Sequence, residues 1–176
     1  MPYLAVCPLA HVQRVATSTG AQRMLTVINT GTKVERPREI AEENHLFLGF
    51  NDIATPMEGM TLPGEQHVRA ILDFAHDWDR SAPMIVHCFA GISRSTATAY
   101  MIALALNPAR DEMELAQELR WRAPSATPNP KLIEIADAIL GRNGRMVDAI
   151  RAIGRGQDAY EGEPFRLPIL EGEFEE

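Results

Sequence analysis

A nucleophile and a fixed cation stand close together at Cys88 and Arg94, separated by the five residues Phe89, Ala90, Gly91, Ile92 and Ser93. The flanks are apolar: "PMIVH" (83–87) leads in and residues 96–106 lead out. A strand that turns sharply into a helix collects backbone N–H groups aimed at one spot, and the helix adds the positive end of its dipole. Gly91 permits the curvature such a turn needs. The setting suits a bound phosphate dianion and equally suits the thiolate of Cys88, the reactive form of cysteine. Arg94 offers a planar pair of donors to two phosphate oxygens. Cys88 alone reads just as well as a buried thiol at a strand end. Gly91, Arg94 and Ser95 at these offsets weigh against that plain reading.

The elements that would position this loop are legible as short apolar runs alternating with helical patterns, which predicts an α/β fold. The expectation is a central, mostly parallel sheet of about four to five strands flanked by helices. Strands are expected at 3–7, 24–29, 45–50 and 83–87. Val68, Ile71, Leu72, Ala75 and Trp78 recur at helical spacing and predict a helix over 65–79, with Asp73, Asp77 and Asp79 on its solvated faces. A further helix is expected near 9–17. The helix at 96–106 is apolar on nearly every face and must be central. Asp111 with Glu114 marks a helix start. Asn129, Pro130 and Gly141 bracket another helix in the order cap, first-turn proline, C-terminal glycine. A last helix is expected over 144–153. Residues 51–64 carry Pro56, Gly59, Pro63 and Gly64 and read as an extended loop.

The 176 residues favour one domain, taken as 1–155, followed by an acidic tail over 156–176. From residue 157 onward seven acidic residues face one arginine, a charge of −6, which leaves −1 of the chain's −7 for the rest. A near-neutral body with an acidic tail lacks the electrostatic footprint for nucleic acid or an anionic membrane. The tail reads as an appendage that Phe165, Leu167, Ile169 and Leu170 could dock. Two cysteines, Cys7 and Cys88, imply no disulfide framework and suit a reducing, cytoplasmic setting. No signal peptide and no run of roughly 20 apolar residues is seen.

The run His87-Cys88-Phe89-Ala90-Gly91-Ile92-Ser93-Arg94-Ser95 resembles the signature of the cysteine-dependent protein tyrosine phosphatase superfamily. Strand before and helix after is the context that signature requires. Asp52 follows the strand "HLFLGF" and stands 36 residues before Cys88, where the family places its general acid. "RWRAPSATPNPKL" is similar to the segment that follows the signature helix in dual-specificity phosphatases. The likeness covers about residues 20–140, and the compact size favours the dual-specificity-like branch.

The resemblance implies a phosphomonoester hydrolase in which Cys88 is the nucleophile, Asp52 the acid and then base, and Arg94 the phosphate clamp. It implies that Ser95 assists departure of the thiolate and that His87 supports the loop from below. Residues 89–94 would bind the phosphate, with no metal and no cofactor. Glu58 is the rival acid in the same loop. The expected partner is a phosphorylated protein or small phosphomonoester, and the lack of lysine inside the loop favours one phosphate over several. The other readings are a phosphate-binding pseudophosphatase or scaffold and, behind it, a rhodanese-like sulfurtransferase. His67 and His76 lie on opposite sides of their helix, and His11 and His45 have no partner at ligand spacing. Cys7 reads as a buried strand cysteine before a redox partner of Cys88. Met57, Met60 and Trp121 suit either a pocket rim or core packing. Tyr160 in "QDAYEGE" suits an autoinhibitory segment, although a solubilising or packing tail is the simpler reading.

Overall fold

The computed structural model describes residues 2–171. Its sheet has five strands: β1 (Tyr3–Pro8), β2 (Arg23–Ile28), β3 (His45–Gly49), β4 (Met84–Cys88) and β5 (Phe165–Pro168). Their spatial order is β3-β2-β4-β1-β5, with β5 antiparallel to β1 and every other pairing parallel. The fold is therefore α/β with a mostly parallel sheet, as the sequence predicts.

Among the described residues six α-helices cover the sheet: α1 (Val12–Thr19), α2 (Glu65–His76), α3 (Arg94–Leu106), α4 (Glu112–Arg122), α5 (Pro130–Leu140) and α6 (Arg145–Ile153). Strand side chains alternate between two cores, as the pleat requires. Leu4, Val6, Leu25, Val27, Met84, Val86 and Cys88 face the larger core with α2 to α6. Tyr3, Ala5, Cys7, Met24 and Ile85 face the smaller one, closed by Val12, Val15 and Ala16 of α1. With both faces covered, the strands can be apolar throughout. α3 is buried from Arg94 to Ala105, so its all-round hydrophobicity reflects a central position.

Local chemistry sets the helix ends. The Asp111 carboxylate accepts from Glu114 N at 2.9 Å at the start of α4. Asn129 Oδ1 accepts from Lys131 N and Leu132 N at 2.9 and 3.1 Å, Pro130 opens α5, and Gly141 closes it in the left-handed conformation. α1 begins later than the sequence suggests, because residues 9–11 form a 3-10 turn. α2 ends at His76, short of residue 79, and Trp78 is buried beyond it with Nε1 donating to Ala82 O at 2.9 Å.

The segment after residue 155 is more than an appendage. It passes beside the Cys88 loop as a strap and then enters the sheet as β5, where Leu167 is buried; Ile169 just beyond is buried too, while Leu170 is 46% exposed. No described helix is long and apolar enough to cross a membrane.

Candidate active site

β4 lies between β1 and β2, so the loop leaving its carboxyl end opens into the crevice where the direction of chain connection reverses, the usual ligand position in such sheets. Cys88 ends β4 and Arg94 begins α3. Gly91, with φ 69°, is needed twice over: a Cβ there would be strained and would lie 2.7 Å from Pro8 N.

The loop's carbonyls are tied down from outside. Phe89 O accepts from Leu9 N at 3.1 Å and Ala90 O from Gly162 N at 2.8 Å. Ile92 O accepts from Thr127 N at 2.9 Å, and Ser93 O from Asn129 N at 3.2 Å. Cys88 O faces His87 Nδ1 at 3.1 Å. In a planar trans peptide the C=O and the following N–H point opposite ways. Holding these carbonyls outward turns the amides inward, and Gly91 N accordingly donates to Cys88 Sγ at 3.2 Å. The strap is thus a structural part of the loop through Gly162.

Cys88 is 3% exposed, and its sulfur lies 3.1 Å from Ser95 Oγ. Arg94 is 6% exposed. Its Nη1 donates to Asn29 Oδ1 at 2.6 Å and to the Phe50 carbonyl at 2.7 Å, while its buried Nε has no partner. A buried N–H left open on a pinned guanidinium is a donor with capacity for an acceptor.

Asp52 stands just past β3, exposed at the rim. Its Oδ1 accepts from Ser93 Oγ at 2.7 Å and from Asn129 Nδ2 at 2.8 Å. Ser93 precedes α3 but makes no side-chain cap there, because its hydroxyl goes to Asp52. Both bonds fall on Oδ1. Glu58 is exposed elsewhere in the same loop, and Asp73, Asp77 and Asp79 are exposed on and beyond α2.

His87 is fully buried under the loop. Its Nε2 lies 2.7 Å from Thr26 Oγ1, which in turn lies 2.8 Å from His45 Nε2. Burial pulls the His87 imidazole down to about 4, against a partial upward effect of the Cys88 carbonyl. Burial, reinforced by Arg36, also lowers His45. Cys7 is paired in register with His87, on the face of the sheet opposite Cys88, and burial pushes its thiol up to about 12. Side-chain direction thus separates the two sulfurs and leaves Cys7 a core residue.

Of the sequence candidates, Cys88, Arg94, Ser95, His87, Asp52 and the loop residues 89–93 come together. Met57, Met60 and Trp121 are exposed, and Tyr160 is 91% exposed and does not occupy the loop. Among the described residues no group of three or more His, Cys, Asp or Glu could hold a metal ion. His11 pairs with Glu161 of the strap at 2.9 Å. Asn29, Thr26, Asn129, the Phe50 carbonyl and Gly162 were not singled out as site residues. Asn129 carried a signal, but one for capping a helix. Beside Asp52 and Ser93 opens a groove of about 310 Å³, floored by Ser125 and Thr127 and walled by the strap from Arg155 to Ala159.

No family model matches the sequence, and no curated protein matches it either. Solved structures do. The crystal structure of DUSP15 superposes with a TM-score of 0.62 over 90% of this chain and 96% of that one, at 16% identity. The Cydia pomonella PTP-2 phosphatase superposes with a TM-score of 0.60 over 77% and 84%, at 15% identity. PTPMT1, solved in complex with PI(5)P, gives 0.56 over 84% and 90%, at 17% identity. The fold is that of the cysteine-based protein tyrosine phosphatase superfamily, in its dual-specificity-like form.

Proposed function

We propose that the protein hydrolyses phosphomonoesters through a phosphocysteine, as a protein tyrosine or dual-specificity phosphatase. The observation that carries this is the pairing of Cys88 Sγ, held by Gly91 N–H and beside Ser95, with an Arg94 whose buried Nε awaits an acceptor. The Cys88 thiolate attacks phosphorus, forming the S–P bond as the ester P–O bond breaks. Asp52 gives its proton to the leaving oxygen. Water then attacks the phosphocysteine while Asp52 takes its proton, and the S–P bond breaks to release inorganic phosphate. Ser95 donates to the departing thiolate. The loop amides and Arg94 spread the charge of the transferring group, which is most of what phosphoryl transfer demands.

The loop carries no lysine, and the strap places Asp158 in one groove with Ile92 and Ser93 and sets Glu161 and Glu163 on either side of Gly162, which bonds Ala90 O. Both features favour a single phosphate on a protein over a polyanionic substrate. The PI(5)P complex of PTPMT1 makes a monophosphorylated lipid the second reading. The test is p-nitrophenyl phosphate hydrolysis in EDTA by wild type and Cys88→Ser. Turnover by the wild type that vanishes in the variant is expected. A folded wild type that binds orthovanadate and turns nothing over would instead be a phosphate-binding scaffold.

A further inference from the structure

The buried row His45–Thr26–His87 spans three neighbouring strands and has one consistent hydrogen-bond direction. A carbonyl can only accept, so the contact to Cys88 O requires His87 Nδ1 to carry hydrogen. The neutral imidazole then has a bare Nε2, which accepts from the Thr26 hydroxyl at 2.7 Å. Having given up its only proton, Thr26 Oγ1 must accept from His45 Nε2–H at 2.8 Å. Every tautomer along the row is fixed by the Cys88 carbonyl at its end.

The sheet register builds this arrangement. Thr26 is paired with His87 across β2 and β4, and His45 sits on β3 two residues before Phe47, the other partner of Thr26. Thr26 and His87 are fully buried, while His45 is half-buried at the sheet edge. A buried threonine with polar partners on both sides, amid aliphatic strands, has no packing advantage over valine. Its hydroxyl is what the position requires.

We propose that Thr26 and His45 are positioning residues for Cys88, acting through His87. Holding the Cys88 carbonyl down turns the Phe89 N–H into the loop, where it faces the sulfur or a bound oxyanion. Hydrogen bonds in such a chain polarise one another, so a break at Thr26 is felt at its end. The inference rests on the phosphocysteine reading for its meaning, yet it concerns the thiolate and can be measured without any phosphoester.

The experiment is the pH dependence of Cys88 alkylation by iodoacetamide, with kcat/KM for p-nitrophenyl phosphate read in parallel. Thr26→Val should raise the apparent alkylation pKa by about one unit, the size of one lost hydrogen bond, and Thr26→Ser should restore it. Should Thr26→Val fail to fold, His45→Leu breaks the same row from a half-buried position and should shift the profile in the same direction. In the Thr26→Val background, His45→Leu should add nothing. A folded Thr26→Val or His45→Leu protein with the wild-type alkylation profile overturns the proposal, and so do shifts that simply add. Loss of phosphatase activity alone, with alkylation profiles behaving as expected, counts against the catalytic reading and in favour of the relay.

Discussion

Asn129 holds Asp52 with one end of its amide and caps α5 with the other. Nδ2 donates to Asp52 Oδ1 at 2.8 Å, and Oδ1 receives Lys131 N and Leu132 N. The rim carboxylate is thereby referenced to a helix that is itself packed on α3. The sequence marks Asn129 as a cap, and the cap accounts for only half of its work.

Asn129→Ser separates the two halves, since serine also caps helices but cannot reach Asp52 as the amide does. Thermal stability should stay within about 1 kcal/mol of wild type. Activity toward phenyl phosphate, a poor leaving group, should fall about 10-fold, with a smaller fall for p-nitrophenyl phosphate. Asp52→Asn should show the same leaving-group bias more strongly, about 10²–10⁴-fold on the poor substrate. Equal losses on both substrates would sink the acid role.

Gly162 is the point where the strap touches the loop. A Cβ there would lie 2.7 Å from the Gly91 carbonyl, so Gly162→Ala must push the strap and its N–H away from Ala90 O. kcat/KM should drop by about 5- to 10-fold, matching the loss of roughly 1 kcal/mol of net hydrogen bonding, and orthovanadate should bind more weakly by a similar factor. Unchanged values for both would show that the loop keeps its shape without the strap.

Arg94→Lys keeps the charge and removes the fork. The ammonium offers three N–H bonds from one point, so it cannot hold Asn29 and the Phe50 carbonyl and also give a phosphate two parallel bonds. kcat/KM should fall by about 10- to 200-fold, the equivalent of the 1.5–3 kcal/mol of a charged hydrogen bond. Full activity in the lysine variant would mean that charge alone suffices.

His87 predicts an acid-sensitive fold. Its imidazole is held down to about 4 in the folded chain, against about 6.5 when unfolded, so below 6.5 the unfolded state binds the proton first. Stability should therefore fall as pH drops from about 6.5 to about 4 and level off below that, a loss of roughly 3 kcal/mol. Urea midpoints at pH 7, 5 and 4 read this directly. His87→Gln should flatten the slope, and parallel slopes in the two proteins would refute the assignment.

The elements signalled by neighbours in sequence were the legible ones. Asn129-Pro130 and Gly141 bracket α5, and the Cys88–Arg94 spacing sits between an apolar strand and an apolar helix, so both are written in neighbouring residues. What escaped was long-range. Asn129 meets Asp52 across 77 positions, Asn29 meets Arg94 across 65, and Thr26 meets His87 across 61. No spacing rule links such residues, since the sheet order brings them together. β5 escaped for a related reason. Four residues inside an acidic stretch rich in glycine and proline look like a tail until the free edge of β1 is there to receive them.

Because Gly162 and β5 close against the first strand and the Cys88 loop, the loop is secured by both early and late parts of the chain. Leu9 N reaches Phe89 O from one side and Gly162 N reaches Ala90 O from the other. On the ribosome, residues 84–94 are made before residues 162–168, and a domain folds as a unit once its parts are present. The buttresses that Gly162 and β5 lend to the cysteine loop are therefore among the last contacts the growing chain can make.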